Sequence, residues 1–143
     1  MKIVIVASLD FIPEIKHTSN QLQKMGHDVI IPMTAKKVIS GEATFDQIME
    51  EKQTGEIAQR AIRQNVVNYY YKEIQNSDAI LILNFDKKGV AGYVGGGALM
   101  EMAFAFVLKK KIFLYNPIPN MDYTAEIESM QPIVIHTDLA LVQ

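Results

Sequence analysis

The chain has 143 residues, 49% of them hydrophobic and 21% charged, which is enough apolar side chain for one buried core, so residues 1–143 are expected to form a single domain. Formal net charge is −2 and the densest basic cluster is Lys109, Lys110 and Lys111, which argues against a nucleic-acid polymer as partner. Cysteine is absent, excluding disulfides and thiolate metal sites, and Lys2 leads straight into an apolar run with no signal-peptide pattern, so the expected compartment is the cytoplasm.

Ile3-Val4-Ile5-Val6-Ala7 opens the chain with consecutive, β-branched-rich apolar residues, the pattern of a strand covered on both faces. Ser8, Leu9, Asp10 and Phe11 follow it. From Ile12 to Met25 the placement of Ile15, Leu22 and Met25 predicts a helix that ends at Gly26. A Gly26-His27-Asp28 turn leads to a second strand, Val29-Ile30-Ile31, and then to a polar stretch from Thr34 to Thr44. Phe45 to Asn76 has helical spacing, with Ile57, Ala61 and Ile62 toward one side and a break near Gly55. Ala79 to Leu83 is the third strand, followed by Asn84, Phe85, Asp86 and the glycine-rich run from Gly89 to Gly97. Ala98 to Leu108 is a helical run of 11 residues, against the roughly 20 a membrane span needs, and it reads as a buried helix with no membrane partner. Ile112-Phe113-Leu114 is the fourth strand and ends in Tyr115, Asn116 and Pro117. Tyr123 through Met130 is a short helix, and Pro132 to Ile135 is the last strand. Strands alternating with helices predict right-handed crossovers and a doubly wound α/β fold. Five parallel strands form a flavodoxin- or Rossmann-like sheet with helices on both faces and ligand sites at the carboxyl ends of the strands.

Functional residues are therefore expected at those strand ends. Between Gly89 and Leu108 the only charge is Glu101, just after Gly95, Gly96 and Gly97. Three glycines permit close backbone approaches. A carboxylate in or near the first turn of the following helix meets free N–H groups and the positive end of the macrodipole, which favour its ionised form. That suits a nucleophile or an anchor for ligand hydroxyls. Ser8 and the N–H groups opening the first helix are placed to bind a phosphate or sugar oxygen, while Ser8 or Asp10 equally suits a helix cap. Asp86 follows a strand, as a catalytic acid would, and it also sits beside Lys87 and Lys88 as a solvated turn residue does. His17, His27 and His136 are too scattered for a metal site. Tyr69, Tyr70 and Tyr71 point in different directions on a helix, so one or two at most can line a base pocket.

The ordered set of Ser8 after the first strand, Gly26-His27, Ser77 through Asn84, Tyr93-Val94-Gly95-Gly96-Gly97 through Glu101, and Asn116-Pro117 resembles the nucleoside 2-deoxyribosyltransferase family, which includes 2′-deoxynucleoside 5′-phosphate N-hydrolases. The resemblance implies cleavage or transfer at the N-glycosidic bond of a 2′-deoxynucleoside or its 5′-monophosphate. It further implies that Glu101, which matches the family nucleophile that attacks C1′, plays that role and that the protein is a homo-oligomer; no cofactor is expected. Two family aspartates are replaced here, by Tyr70 before the third strand and by Gly95 before the nucleophile. In their absence Asp86 is read as the acid that protonates the departing base, and Tyr93 or Tyr70 as the group that orients Glu101. Ser8, Asp10, Phe11, Tyr70, Asn84, Gly95, Gly96, Gly97 and Asn116 are the expected substrate contacts. A noncatalytic nucleotide-binding or sensing module is the alternative.

Overall fold

The computed structural model describes all 143 residues. Five strands, β1 (Lys2–Val6), β2 (Asp28–Ile30), β3 (Ala79–Ile82), β4 (Lys111–Leu114) and β5 (Ile133–Val134), form one all-parallel sheet in the order β2-β1-β3-β4-β5. This is the doubly wound α/β fold. Ile3 pairs with Ala79 and Val6 with Ile82, which in turn pairs with Leu114, so the carboxyl ends of β1, β3 and β4 finish level. Successive crossovers run first toward β2 and then the opposite way, and the chain segments leaving β1 and β3 part there to open a crevice.

Consecutive apolar residues in β1 and β3 feed two cores because successive side chains point to opposite faces. Ile3, Ile5, Leu81 and Phe113 pack with Ile12, Ile15 and Leu22 of α1 (Ile12–Lys24) on one face. Val4, Val6, Ile80 and Ile82 pack on the other against Ile74, Met102 and Ile127. Those three residues belong to α5 (Val66–Gln75), α6 (Gly96–Val107) and α7 (Thr124–Ser129). No helix is long and apolar enough to cross a membrane.

Two differences from the sequence reading concern helices. The polar stretch after β2 contains α2 (Met33–Ile39), which buries Thr34 and Ala35. Two turns of helix are too short for a periodic signal, and Ala35 gains its burial by packing with the α1 side of the core. The long region beyond it breaks twice, into α3 (Phe45–Thr54), α4 (Glu56–Arg63) and α5. The break at Gly55 (φ +84°) is the expected one; the second is at Asn65 (φ +49°), a residue type that tolerates left-handed backbone.

Candidate active site

Two adjoining cavities occupy the crevice, both lined by Ala7 and Leu9 just beyond β1. The smaller, about 150 Å³, is closed by Pro32, Met33 and Thr34 and contains the side chains of Tyr70 and Glu101. The larger, about 480 Å³, is bounded by Ser8 and Phe11, by Lys52 and Ile57, and by Lys87, Tyr93 and the Gly95–Gly97 turn. Its charged lining consists of two lysines, in a chain whose net charge is −2.

Glu101 is the sixth residue of α6, which begins at Gly96, so it lies in the second turn and away from the free N–H groups. The expectation of a carboxylate ionised by the helix start is thereby corrected. Burial pushes the Glu101 carboxyl up to about 8, with no cation or hydrogen-bond donor pulling it back. Beside it, Tyr70 is only 6% exposed, and its hydroxyl oxygen accepts the Met33 N–H at 2.7 Å. Burial and the Glu101 charge both raise the Tyr70 phenol, which therefore keeps its proton at any ordinary pH. Of the two tyrosines expected to orient Glu101, Tyr70 shares its cavity and Tyr93 does not.

In the larger cavity the glycine turn starts α6 with no side-chain cap, leaving the N–H groups of its first residues free of helical partners. At the rim, Lys52 of α3 donates to Asp10 at 2.7 Å and Lys87 forms a second ion pair with the same carboxylate. Lys87 also donates to the Ser8 hydroxyl at 2.9 Å, and that hydroxyl reaches Asp10 at 3.2 Å. Burial alone would raise the Asp10 carboxyl, but hydrogen bonds from Lys52 and Lys87 bring it down to about 2. Burial lowers Lys52 from the ordinary lysine value, an effect partly offset by Asp10. Lys87 and Lys88 lie 5.8 and 5.7 Å from the Tyr93 ring centre, within cation–π range. Ser8 also caps the short helical turn at Leu9–Phe11, as the capping reading of that residue expects.

Several expected site residues lie elsewhere. Asp86 is exposed and outside both cavities, and its Oδ1 accepts the Gly92 N–H at 2.9 Å, which ties down a turn. Asn84 is 1% exposed and clamps loops together: Nδ2 reaches the carbonyls of Gly92, Asn116 and Pro117 at 3.1–3.2 Å, and Oδ1 accepts the Asn116 N–H at 2.8 Å. Asn116 returns the contact through its own amide, at 3.0 Å to the Asn84 carbonyl, and lines neither cavity. Asp10 likewise lines neither, because its carboxylate is turned to the two lysines. Phe11 and the Gly95–Gly97 turn do line the larger one. None of those three glycines has positive φ, and a Cβ at Gly96 or Gly97 would meet nothing within 4 Å, so the protein's own packing does not demand glycine there. The demanding position is Gly92, with φ +66° and the Pro117 carbonyl oxygen 2.7 Å from where a Cβ would be. Lys52 and Lys87 were not singled out in the sequence. Lys87 follows a strand end and was legible on that ground, whereas Lys52 arrives from a helix whose packing no local pattern reveals.

Comparison with family models, with curated proteins and with solved structures finds no match to the chain.

Proposed function

We propose that the protein cleaves or transfers the N-glycosidic bond of a 2′-deoxynucleoside or its 5′-monophosphate, with Glu101 as nucleophile, as in the nucleoside 2-deoxyribosyltransferase family its sequence resembles. The observation that carries this reading is the placement of Glu101: an unpaired carboxyl lining a sugar-sized cavity of about 150 Å³ that adjoins a larger one edged by the aromatic rings of Phe11 and Tyr93. The sugar would occupy the smaller space and the rest of the substrate the larger.

In this mechanism a Glu101 oxygen attacks C1′ as the bond from C1′ to the base nitrogen breaks, and the electron pair of that bond leaves with the base. A glycosyl ester on Glu101 results, and water or an incoming base then attacks C1′ from the opposite side, freeing the carboxylate with net retention. Attack requires the ionised carboxyl. With Glu101 held at about 8, the ionised fraction grows as pH rises through neutrality, and turnover rises with it. Glu101 is the only carboxylic acid lining either cavity, so the departing base takes its proton from solvent and Asp86 plays no part.

The same reading places the protein in the cytoplasm as a homo-oligomer joined through apolar side chains that α5 and α6 leave exposed: Val67, Tyr71, Met100 and Val107. A noncatalytic nucleotide-binding module is the second reading, favoured by the lack of a second carboxylic acid in the two cavities. Incubation with a panel of 2′-deoxynucleosides, their 5′-monophosphates and the matching ribo compounds, followed by chromatography for free base, separates the two. Base released by the wild type and not by Glu101→Gln supports catalysis. Binding without release moves the protein to the second reading.

A further inference from the structure

The charge arrangement around the larger cavity has a consequence for its ligand. Lys52 and Lys87 come from distant parts of the chain, α3 and the segment after β3, and converge on one carboxylate at the cavity edge. Two ammoniums against one carboxylate leave the cluster with a formal charge of +1. No acidic side chain lines the cavity to cancel it. Both lysines are among the lining residues while Asp10 is not, so the cations face the open space and the anion holds them from the side. Lys52 is already lowered by burial, the mark of an ammonium short of compensating charge and water.

We infer that Lys52 and Lys87 form the seat of a phosphomonoester dianion and that Asp10 is a built-in competitor for it, setting how tightly the dianion is held. This rests on the proposed function only in taking that dianion to be the 5′-phosphate of the substrate. When the phosphate arrives, Lys52 and Lys87 divide their hydrogen bonds between it and Asp10, and the Ser8 hydroxyl, now bonded to both Lys87 and Asp10, is free to turn toward the phosphate. The free N–H groups of the glycine turn line the same space and add to the seat. From Gly97 to Glu101 the helix advances about 6 Å along its axis, a distance comparable with the reach of a sugar ring and its C5′ arm. Because the two cavities share Ala7 and Leu9 in their linings, a substrate with its phosphate on the two lysines extends its sugar toward the cavity of Glu101. Asp10 keeps the paired lysines in place when the site is empty and weakens the hold on the dianion when it is full.

The prediction has a sign opposite to that of a substrate-contacting aspartate. Asp10→Asn keeps the hydrogen-bonding shape but raises the cluster from +1 to +2, so it should bind inorganic phosphate and 2′-deoxynucleoside 5′-monophosphates on the order of tenfold more tightly than the wild type. Lys87→Met and Lys52→Met should each weaken those ligands by a similar factor while leaving binding of the unphosphorylated 2′-deoxynucleosides unchanged. Isothermal titration at low and moderate salt, on the otherwise wild-type protein and the three variants, each carrying Glu101→Gln so that no substrate is turned over, reads all of this. Added salt should reduce the Asp10→Asn advantage. Weaker or unchanged phosphate binding in Asp10→Asn overturns the competitor role, and equal losses of nucleoside and nucleotide in the lysine variants overturn the phosphate seat. Inorganic phosphate binding without preference for the nucleotide would place a free phosphate, and no substrate phosphate, on the lysines, refuting that part of the inference. Failure of the glycosidic reading looks different: no base is released, yet the phosphate titrations keep their order. Failure of the phosphate seat leaves base release intact, with no advantage for the 5′-monophosphate.

Discussion

Replacing Glu101 with glutamine should make the protein more stable at alkaline pH and leave it unchanged in acid. The carboxyl is moved from its ordinary value of 4.5 to about 8 by burial, so the fold favours the neutral form. A group raised in this way contributes its stability in full below the ordinary value and loses it as pH climbs through the folded one. At about 1.4 kcal/mol for each pH unit, the interval from 4.5 to about 8 amounts to about 5 kcal/mol. Glu101 keeps partial solvent exposure and water can relax around the charge, so roughly half of that, about 2–3 kcal/mol, is the working figure. Glutamine is neutral throughout and similar in size, so Glu101→Gln should match the wild type near pH 4 and exceed it by about 2–3 kcal/mol at pH 8 and above. Urea denaturation of both proteins at intervals across that range measures the difference. Other titrating groups, Asp10 among them, are common to both proteins and cancel. Parallel stability profiles from pH 4 to 9, or a glutamine variant that is the weaker at pH 8, would refute the burial argument and with it the expected rise of turnover with pH.

Gly92→Ala should cost about 2 kcal/mol or more, because φ is +66° and the new Cβ would sit 2.7 Å from the Pro117 carbonyl oxygen, whereas Gly96→Ala should shift stability by less than about 1 kcal/mol. Thermal melts compare the two, and a loss of base release in a fully folded Gly96→Ala would place the substrate against that turn. Asp10, brought down from 3.8 to about 2, contributes stability that is present above 3.8 and lost as pH falls toward 2; Asp10→Asn should be flat in that window, and denaturation at pH 5 and pH 2.5 checks it. Tyr70→Phe removes the acceptor of the part-buried Met33 N–H and should destabilise by about 1–2 kcal/mol by the same assay; a change below about 0.5 kcal/mol would show that water replaces the hydroxyl. Sedimentation at micromolar concentration should find a homo-oligomer, and a single species near 16.1 kDa would remove the proposed association through α5 and α6.

The sheet and most of its helices were legible in the order of residues because the signals are local. Ile3 to Val6 and Ala79 to Ile82 are apolar at every position, which only a strand covered on both faces requires, and Gly26 and Gly55 sit where helices stop. Glu101 stood out for a similar reason, as the only charge in a long apolar and glycine-rich run. Its chemistry was another matter. Helix position alone suggested an ionised group at a positive end, and only the packing of α6 against its neighbours showed a second-turn carboxyl kept neutral by burial. The same holds for the residues around it. Asp86, Asn84 and Asn116 follow strands as functional residues do, yet in three dimensions their polar atoms are taken up by one another's loops. Tyr70 met Glu101, and Lys52 met Lys87 across Asp10, through contacts between residues more than thirty positions apart. Strand and turn propensities are properties of neighbours along the chain, but burial, charge compensation and the contents of a cavity are properties of neighbours in space, which is why the tertiary structure alone decided them.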